Sequence, residues 1–309
     1  MLISSADIGS NTIHQIIANI EGNSIAILAR KPEILRFGED TNAFGKISDA
    51  KLQRAAAVLQ SMKATGEQFH CAAQIFVATE GVRAAQNAEY ALHMLSNAAG
   101  TPIALISGDT EATLSFIGAT ADFALGEQSV SVIDLGGGSC EIVDGAGEII
   151  HWKKSIHLGS GYLLDQVQPG DPFIAEDILR MQQIAQRILA AESFPARTGI
   201  IIGSGGSSGA IARFNPEGKF RQIITVSDLE EILSLAQTHS TQMLHEITNI
   251  PEHYIRIAIS GAAAWSQIVA ARGADRFYAT QFGVREGAAL LYCRYGADWL
   301  QTITDAPQQ

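Results

Sequence analysis

Hydrophobic and polar positions along this chain alternate in blocks that switch repeatedly between strand and helix periodicity. Residues 2–7 form a short apolar run that ends in a turn, and residues 12–19 and 24–29 read as two strands joined around Glu21-Gly22-Asn23. The period then lengthens. Leu52, Ala55, Leu59 and Met62 recur at helical spacing behind Ser48, which predicts a capped helix, and residues 74–78 predict a buried strand. Asn87 opens a second helix with Ala91, Leu92 and Leu95 facing inward and Gly100 ending it, followed by a strand over 103–106. Leu114, Ile117 and Ala121 mark a helix over 109–123, and 130–135 is again strand-like. Strands at 141–144 and 148–153 flank the hairpin signal Gly145-Ala146-Gly147, and Met181, Ile184 and Ile188 align on a helix over 176–192. A strand over 199–202 runs into a Gly/Ser loop. Ser227-Asp228-Leu229-Glu230 reads as a capping box opening a helix to about His245, and a last helix is expected over 285–294 with a frayed tail after Trp299.

This alternation predicts an α/β fold with two domains, 1–124 and 125–309, the C-terminal helix at about 286–300 having the option of packing back onto the first. An internal echo supports two related halves. Ser5-Ala6-Asp7-Ile8-Gly9-Ser10-Asn11 and Val132-Ile133-Asp134-Leu135-Gly136-Gly137-Gly138-Ser139 each place apolar residues before an Asp, then an apolar residue, glycine and a hydroxyl residue. Such turns bring backbone N–H groups to phosphate oxygens, with Ser10, Asn11, Thr12 and Ser139 as further donors. Asp7 and Asp134, at strand ends, are candidate Mg²⁺ ligands, directly or through water.

Charge and composition narrow the partners. The chain has 309 residues, 47% of them hydrophobic, and a net charge of −11. No broad positive field draws long polyanions, so nucleic acid is excluded as an expected partner and short phosphate-rich substrates are favoured. No apolar run approaches a membrane span, so no membrane partner is expected, and without a signal-like start the expected location is the cytoplasm. The three cysteines, Cys71, Cys140 and Cys293, show neither zinc-ligand nor disulfide spacing. Oligomeric state is not legible, which leaves a homodimer open.

The motifs resemble the exopolyphosphatase/guanosine-pentaphosphate phosphatase family of the actin and sugar-kinase superfamily. Asp7-Ile8-Gly9-Ser10-Asn11-Thr12-Ile13-His14 resembles its first phosphate loop, and Asp134-Leu135-Gly136-Gly137-Gly138-Ser139-Cys140-Glu141 its second. Ala78-Thr79, Arg83 and Asn87 match a family pattern, as do Ile106-Ser107-Gly108-Asp109-Thr110-Glu111-Ala112 and Phe282-Gly283-Val284-Arg285-Glu286-Gly287. The resemblance spans the chain. It implies two ribonuclease-H-like (actin-like ATPase) domains around an interdomain cleft, and hydrolysis of polyphosphate ends or of guanosine pentaphosphate. Thr110 stands where the family often has a second Glu, and Cys140 where Thr is usual.

Phosphoanhydride hydrolysis needs an in-line water, a group to deprotonate it and positive charge on the transferred phosphoryl oxygens. Glu111 matches the family's catalytic glutamate; read alone it is a first-turn helix residue stabilised by the helix dipole. Glu141 is the second candidate catalytic carboxylate, against the alternative of an outward strand residue. Arg83 and Arg285 are the expected phosphate-binding guanidiniums, each with the alternative of a surface ion pair. His14 reads as a satisfied, half-buried histidine. Gly205, Gly206 and Ser207, in the Gly/Ser loop, are expected to line a nucleotide pocket or a polyphosphate channel. Two other readings stay open: an ATP-dependent phosphotransferase and a non-catalytic nucleotide or polyphosphate sensor.

Overall fold

The computed structural model describes residues 1–197 and 199–304. Strands β1 (Leu2–Ile8) and β2 (Thr12–Glu21) form a hairpin pairing Asp7 with His14 and Ile8 with Ile13, and β3 (Ser24–Ile34) extends it antiparallel. Helices α1 (Phe37–Phe44) and α2 (Asp49–Gln68) lead to β4 (Ala73–Ala78), parallel to β1. Next come α3 (Glu80–Arg83), α4 (Ala88–Ala99), the two-residue β5 (Ala104–Leu105) parallel to β4, and α5 (Gly108–Thr120). The sheet order is β3-β2-β1-β4-β5.

The pattern then repeats. Strands β6 (Ser129–Leu135), β7 (Cys140–Ala146) and β8 (Ile149–Ile156) form the antiparallel meander, followed by α6 (Ser160–Val167) and α7 (Ala175–Ala190). Strand β9 (Ile200–Ser204) pairs parallel with β6 and runs into α8 (Gly205–Ala212). Then follow β10 (Ile223–Thr225), α9 (Val226–Thr238), α10 (Thr241–Thr248), α11 (Glu252–Ala271) and β11 (Arg276–Ala279). The second sheet runs β8-β7-β6-β9-β11-β10, the first sheet's order with one antiparallel strand added at the end. Both sheets have the ribonuclease-H-like arrangement of three antiparallel strands followed by parallel ones. Finally α12 (Val284–Tyr295), a 3₁₀ turn over Gly296–Asp298 and α13 (Gln301–Thr304) close the described chain. The first part of the tail expected to fray is thus helical, and 305–309 lie outside the described residues.

Two compact units result: Met1–Ala124 with Phe282–Gln309, and Leu125–Gln281. The second unit therefore ends at Gln281 rather than at the C-terminus, because α12 buries Val284, Ala288 and Leu291 with Ile3, Ile16 and Val77 of the first sheet. In that first unit Ala6, Ile8 and Ile13 pack with Leu52, Leu59 and Leu95 of α2 and α4 on the other sheet face. Alternation of strand side chains sets this division, and it decides where Asp7 points. In the second unit Ile133, Leu135, Cys140 and Ile142 pack with Met181 of α7 and Ile259 and Trp265 of α11. Trp265 stacks on Phe277 at 3.9 Å between centroids. A buried Arg272–Asp144 pair at 2.6 Å ties the end of α11 to β7.

Two expected elements differ. The helix expected to run to His245 is two helices, because His239 is extended and Ser240 caps α10 by accepting from Met243 N. The capping box of α9 is Thr225 with Asp228, two residues before the one expected.

Candidate active site

The two glycine turns are the same structure made twice. In the first, Gly9 N donates to Thr12 O at 2.9 Å; in the second, Gly136 N donates to Ser139 O at 3.0 Å. Asp7 is paired across its hairpin with His14, and Asp134 with Glu141, so His14 occupies in one unit the place Glu141 takes in the other.

A second shared device fixes the orientation of each turn. In the first, the carbonyls of Ser10 and Asn11 accept from Gly38 N, Leu35 N and Arg36 N. In the second, the carbonyls of Gly136 and Gly137 accept from Ser160 N and Tyr162 N at the start of α6. In a trans peptide the N–H points opposite the preceding C=O, so tying these carbonyls turns the N–H groups of Asn11, Gly137 and Gly138 the other way. The N–H groups of Ser10, Asn11, Gly137 and Gly138 have no acceptor among the described residues. Successive amides turned the same way form an anion-binding concavity. Small residues permit the approach: a Cβ on Gly81 would lie 2.6 Å from Ser10 Cα, and one on Gly159 would lie 2.2 Å from Gly137 O.

In the first unit a polar chain runs away from the turn. Asp7 shares its face of β1 with Ser5, whose hydroxyl donates to Arg285 O. Thr79, at the end of the neighbouring parallel strand, donates to Asp7 Oδ1 at 3.3 Å. Its carbonyl accepts from Arg83 N at 2.9 Å. Arg83 Nη1 in turn reaches Glu111 Oε2 at 3.1 Å and Ile106 O at 2.7 Å, while Nη2 holds Glu80 Oε2 at 2.8 Å. Glu111 is buried in the first turn of α5, which Ser107 caps by accepting from Thr110 N. Asp7, Thr79, Arg83 and Glu111 thus belong to one connected construction. Arg285 lies on α12, which crosses α5 antiparallel with Gly283 against Gly118 and Gly287 against Leu114. That places it beside the C-terminal part of α5, roughly 10 Å along the helix from Glu111, with its guanidinium 3.7 Å from Glu286. Glu286 also binds Arg30, whose pKa burial depresses, Glu286 raises and the adjacent Arg285 lowers further.

In the second unit Asp134 and Glu141 stand side by side on neighbouring strands, 8% and 2% exposed, on the face opposite Ile133 and Cys140. Directly paired strand residues have Cβ atoms about 5 Å apart. Ser155, next along the same row, donates to Glu141 Oε1 at 2.7 Å. Two carboxylates so placed favour a cation held with them, and oxygen donors completed by water are what Mg²⁺ accepts. The residues therefore fit magnesium, although no group of three metal-ligating side chains occurs among the described residues. Burial, with Glu141 and Asp134 close by, pushes the Cys140 thiol well up, so this cysteine stays protonated and inert.

The three residues named in the Gly/Ser loop have different surroundings. Gly205 takes φ +87°, and a Cβ there would lie 2.5 Å from Asp134 Oδ1, so it serves the close packing of β9 on Asp134. Ser207 is buried, and its hydroxyl donates to Leu135 O at 2.7 Å; it is a packing residue of its unit. Of the three positions, Gly206 alone is exposed with open space beside it.

The sequence reading named Thr79 in a motif without a role and missed three polar partners: Glu80, Ser155 and Ser204. Ser204 pairs in register with Asp134 and carries a buried hydroxyl without a hydrogen-bond partner among the described residues. Glu80 was visible as an i,i+3 partner of Arg83. Ser155 and Ser204 needed strand register, which no local pattern supplies.

Each ribonuclease-H-like unit thus carries one such glycine turn and at least one buried carboxylate, and comparison with known sequences gives the family. The Ppx/GppA phosphatase family matches over residues 16–293, and the chain belongs to this family. Among curated relatives, Exopolyphosphatase 1 of Mycobacterium tuberculosis is 27% identical over 173 residues, 56% of this chain and 50% of that one. The Mycobacterium leprae protein of the same name is 27% identical over 51% of its length, so the chain matches about half the length of these relatives. Solved structures share the fold. The Aquifex aeolicus Ppx/GppA family member superposes with a TM-score of 0.78 at 22% identity, covering 96% of this chain and 99% of that one. An exopolyphosphatase from Cytophaga hutchinsonii gives 0.83 at 19% identity, covering 98% of each.

Proposed function

We propose that this protein is a phosphohydrolase that releases the terminal phosphate of a short polyphosphate or of guanosine pentaphosphate. The observation that carries the reading is the duplicated turn, in which the N–H groups of Ser10, Asn11, Gly137 and Gly138 have no acceptor among the described residues. Amides of Ser10, Asn11, Gly137 and Gly138, with the hydroxyls of Ser10 and Ser139, bind phosphoryl oxygens. Arg83 adds a guanidinium, and Arg285 is the second basic residue assigned to the phosphate chain. Glu111 takes the proton of the attacking water as the new P–O bond forms and the bridging P–O bond breaks. A carboxylate offers about four acceptor sites, so the bond to Arg83 orients Glu111 without exhausting it. In the second unit Asp134 and Glu141 would hold magnesium, which when bound would neutralise charge on the phosphoryl oxygens, and Asp7 is the corresponding candidate ligand of the first unit.

The family membership supports phosphatase chemistry, and the names of the relatives favour polyphosphate over a nucleotide. Phosphate release from tripolyphosphate, guanosine pentaphosphate and ATP, with Mg²⁺ and with a chelator, tests the proposal. Mg²⁺-dependent, acceptor-free release from the first or second compound is expected. ATP conversion to ADP only when a small acceptor is supplied would make the protein a phosphotransferase. Tight binding with no turnover would make it a sensor.

A further inference from the structure

We infer that Glu80 is a built-in competitor for the phosphate-binding face of Arg83, so that affinity depends on how readily a phosphoryl group displaces this carboxylate. The inference rests on the reading of Arg83 as a phosphate ligand. It begins with how the guanidinium is divided. Nη1 is anchored to Ile106 O at 2.7 Å and to Glu111 Oε2 at 3.1 Å, while Nη2 is held by Glu80 Oε2 at 2.8 Å. Losing Glu80 therefore leaves Arg83 anchored through Nη1, with one carboxylate fewer on Nη2. A carboxylate and a phosphate present equivalent oxygen pairs to a guanidinium, so one replaces the other without moving the arginine.

Position makes the exchange relevant to the substrate. Glu80 opens α3, directly after Thr79, whose hydroxyl binds Asp7, and directly before Gly81, which packs on Ser10 and Gly9. The competing carboxylate thus stands at the first phosphate turn. The Glu80 and Arg83 side chains are 22% and 24% exposed, so an anion arriving from solvent reaches the pair. A partly exposed i,i+3 pair is weak, which makes displacement easy yet still selective. A terminal phosphate of higher charge density displaces Glu80 better than a phosphodiester, and the pair acts as a filter on what binds.

Calorimetric titration of tripolyphosphate without Mg²⁺ tests this with wild type, Glu80→Gln and Glu89→Gln. Glu89, exposed at the start of α4, controls for the loss of one negative charge. Glu80→Gln is expected to bind about threefold more tightly, with KM falling by the same factor and kcat within about twofold. Glu89→Gln is expected to match wild type. Unchanged or weaker binding by Glu80→Gln overturns the inference, as does an equal gain in Glu89→Gln. A drop in kcat at unchanged KM also overturns it, making Glu80 a brace for Arg83. Failure of wild type itself to bind tripolyphosphate would sink the phosphate reading of Arg83, a result distinct from binding that ignores Glu80.

Discussion

Replacing Gly159 by alanine tests whether the second turn depends on the helix packed behind it. Gly159 has φ −145° and ψ 157°, extended backbone open to any residue, so only space bars a side chain. A Cβ there would lie 2.2 Å from Gly137 O, 2.3 Å from Gly137 C and 2.5 Å from Gly138 N. All three are backbone atoms that cannot rotate aside. Restoring ordinary contact requires the turn to move by about 1 Å, and overpacking of this kind costs about 1–3 kcal/mol. For a unit of this size that lowers Tm by roughly 2–10 °C. The effect on turnover is larger, because a displacement of about 1 Å in a positioning element costs on the order of a hundredfold in rate. The assay pairs a thermal melt with phosphate release from tripolyphosphate. Gly206→Ala is the control, since nothing lies within 4 Å of its Cβ position, and it should leave stability unchanged or slightly raised. Wild-type melting and wild-type turnover in Gly159→Ala would refute the claim that α6 sets the shape of this turn.

Other outcomes follow from the same geometry. Asp134→Asn removes one of two adjacent buried carboxylates and should weaken Mg²⁺ activation by tenfold or more, read as a rise in the Mg²⁺ concentration needed for half-maximal rate. Arg272→Ala leaves Asp144 buried without its guanidinium and should cost about 3–5 kcal/mol in urea denaturation; a loss below about 1 kcal/mol would show that the pair is not a structural tie. Burial would raise the carboxyls of Asp40 and Asp228, but Lys51 and Ser48 at the first, and Thr225 and Arg221 at the second, pull both below the ordinary value. Their folded pKa is depressed, so their stabilisation is present above the unfolded pKa of about 4 and is lost as pH falls through the lower folded values. Asp228→Asn should therefore lose stability at pH 7 and show a flatter acid limb; an unchanged acid limb would contradict this.

Much of the fold was legible because strand and helix periods are clean where an element buries one face. Leu52, Ala55, Leu59 and Met62 do line the buried side of α2, and the twin turns were visible as a repeat. Helix α11 was not legible. Its Ile255, Ala258, Ile259, Ala262, Ala263, Trp265, Ile268 and Val269 are all buried, so no polar face contrasts with an apolar one. The return of α12 to the first unit was legible only as an option, since it is decided by Gly283 and Gly287 packing on α5 across more than 160 residues of intervening sequence. At the site, the turns, Asp7, Asp134, Arg83 and Glu111 could be named from local motifs. Glu141 could be named as well, but not its contacts: it meets Asp134 and Ser155 through strand register, and Ser207 turns inward to Leu135 O, both consequences of tertiary placement.

The most direct measurement compares Glu111→Gln with wild type in tripolyphosphate binding and in Mg²⁺-dependent phosphate release. Glutamine keeps the shape and an oxygen for Arg83 but cannot take a proton from water. The account predicts that binding persists while kcat falls on the order of 10²–10⁴-fold. Turnover by Glu111→Gln at the wild-type rate would contradict it.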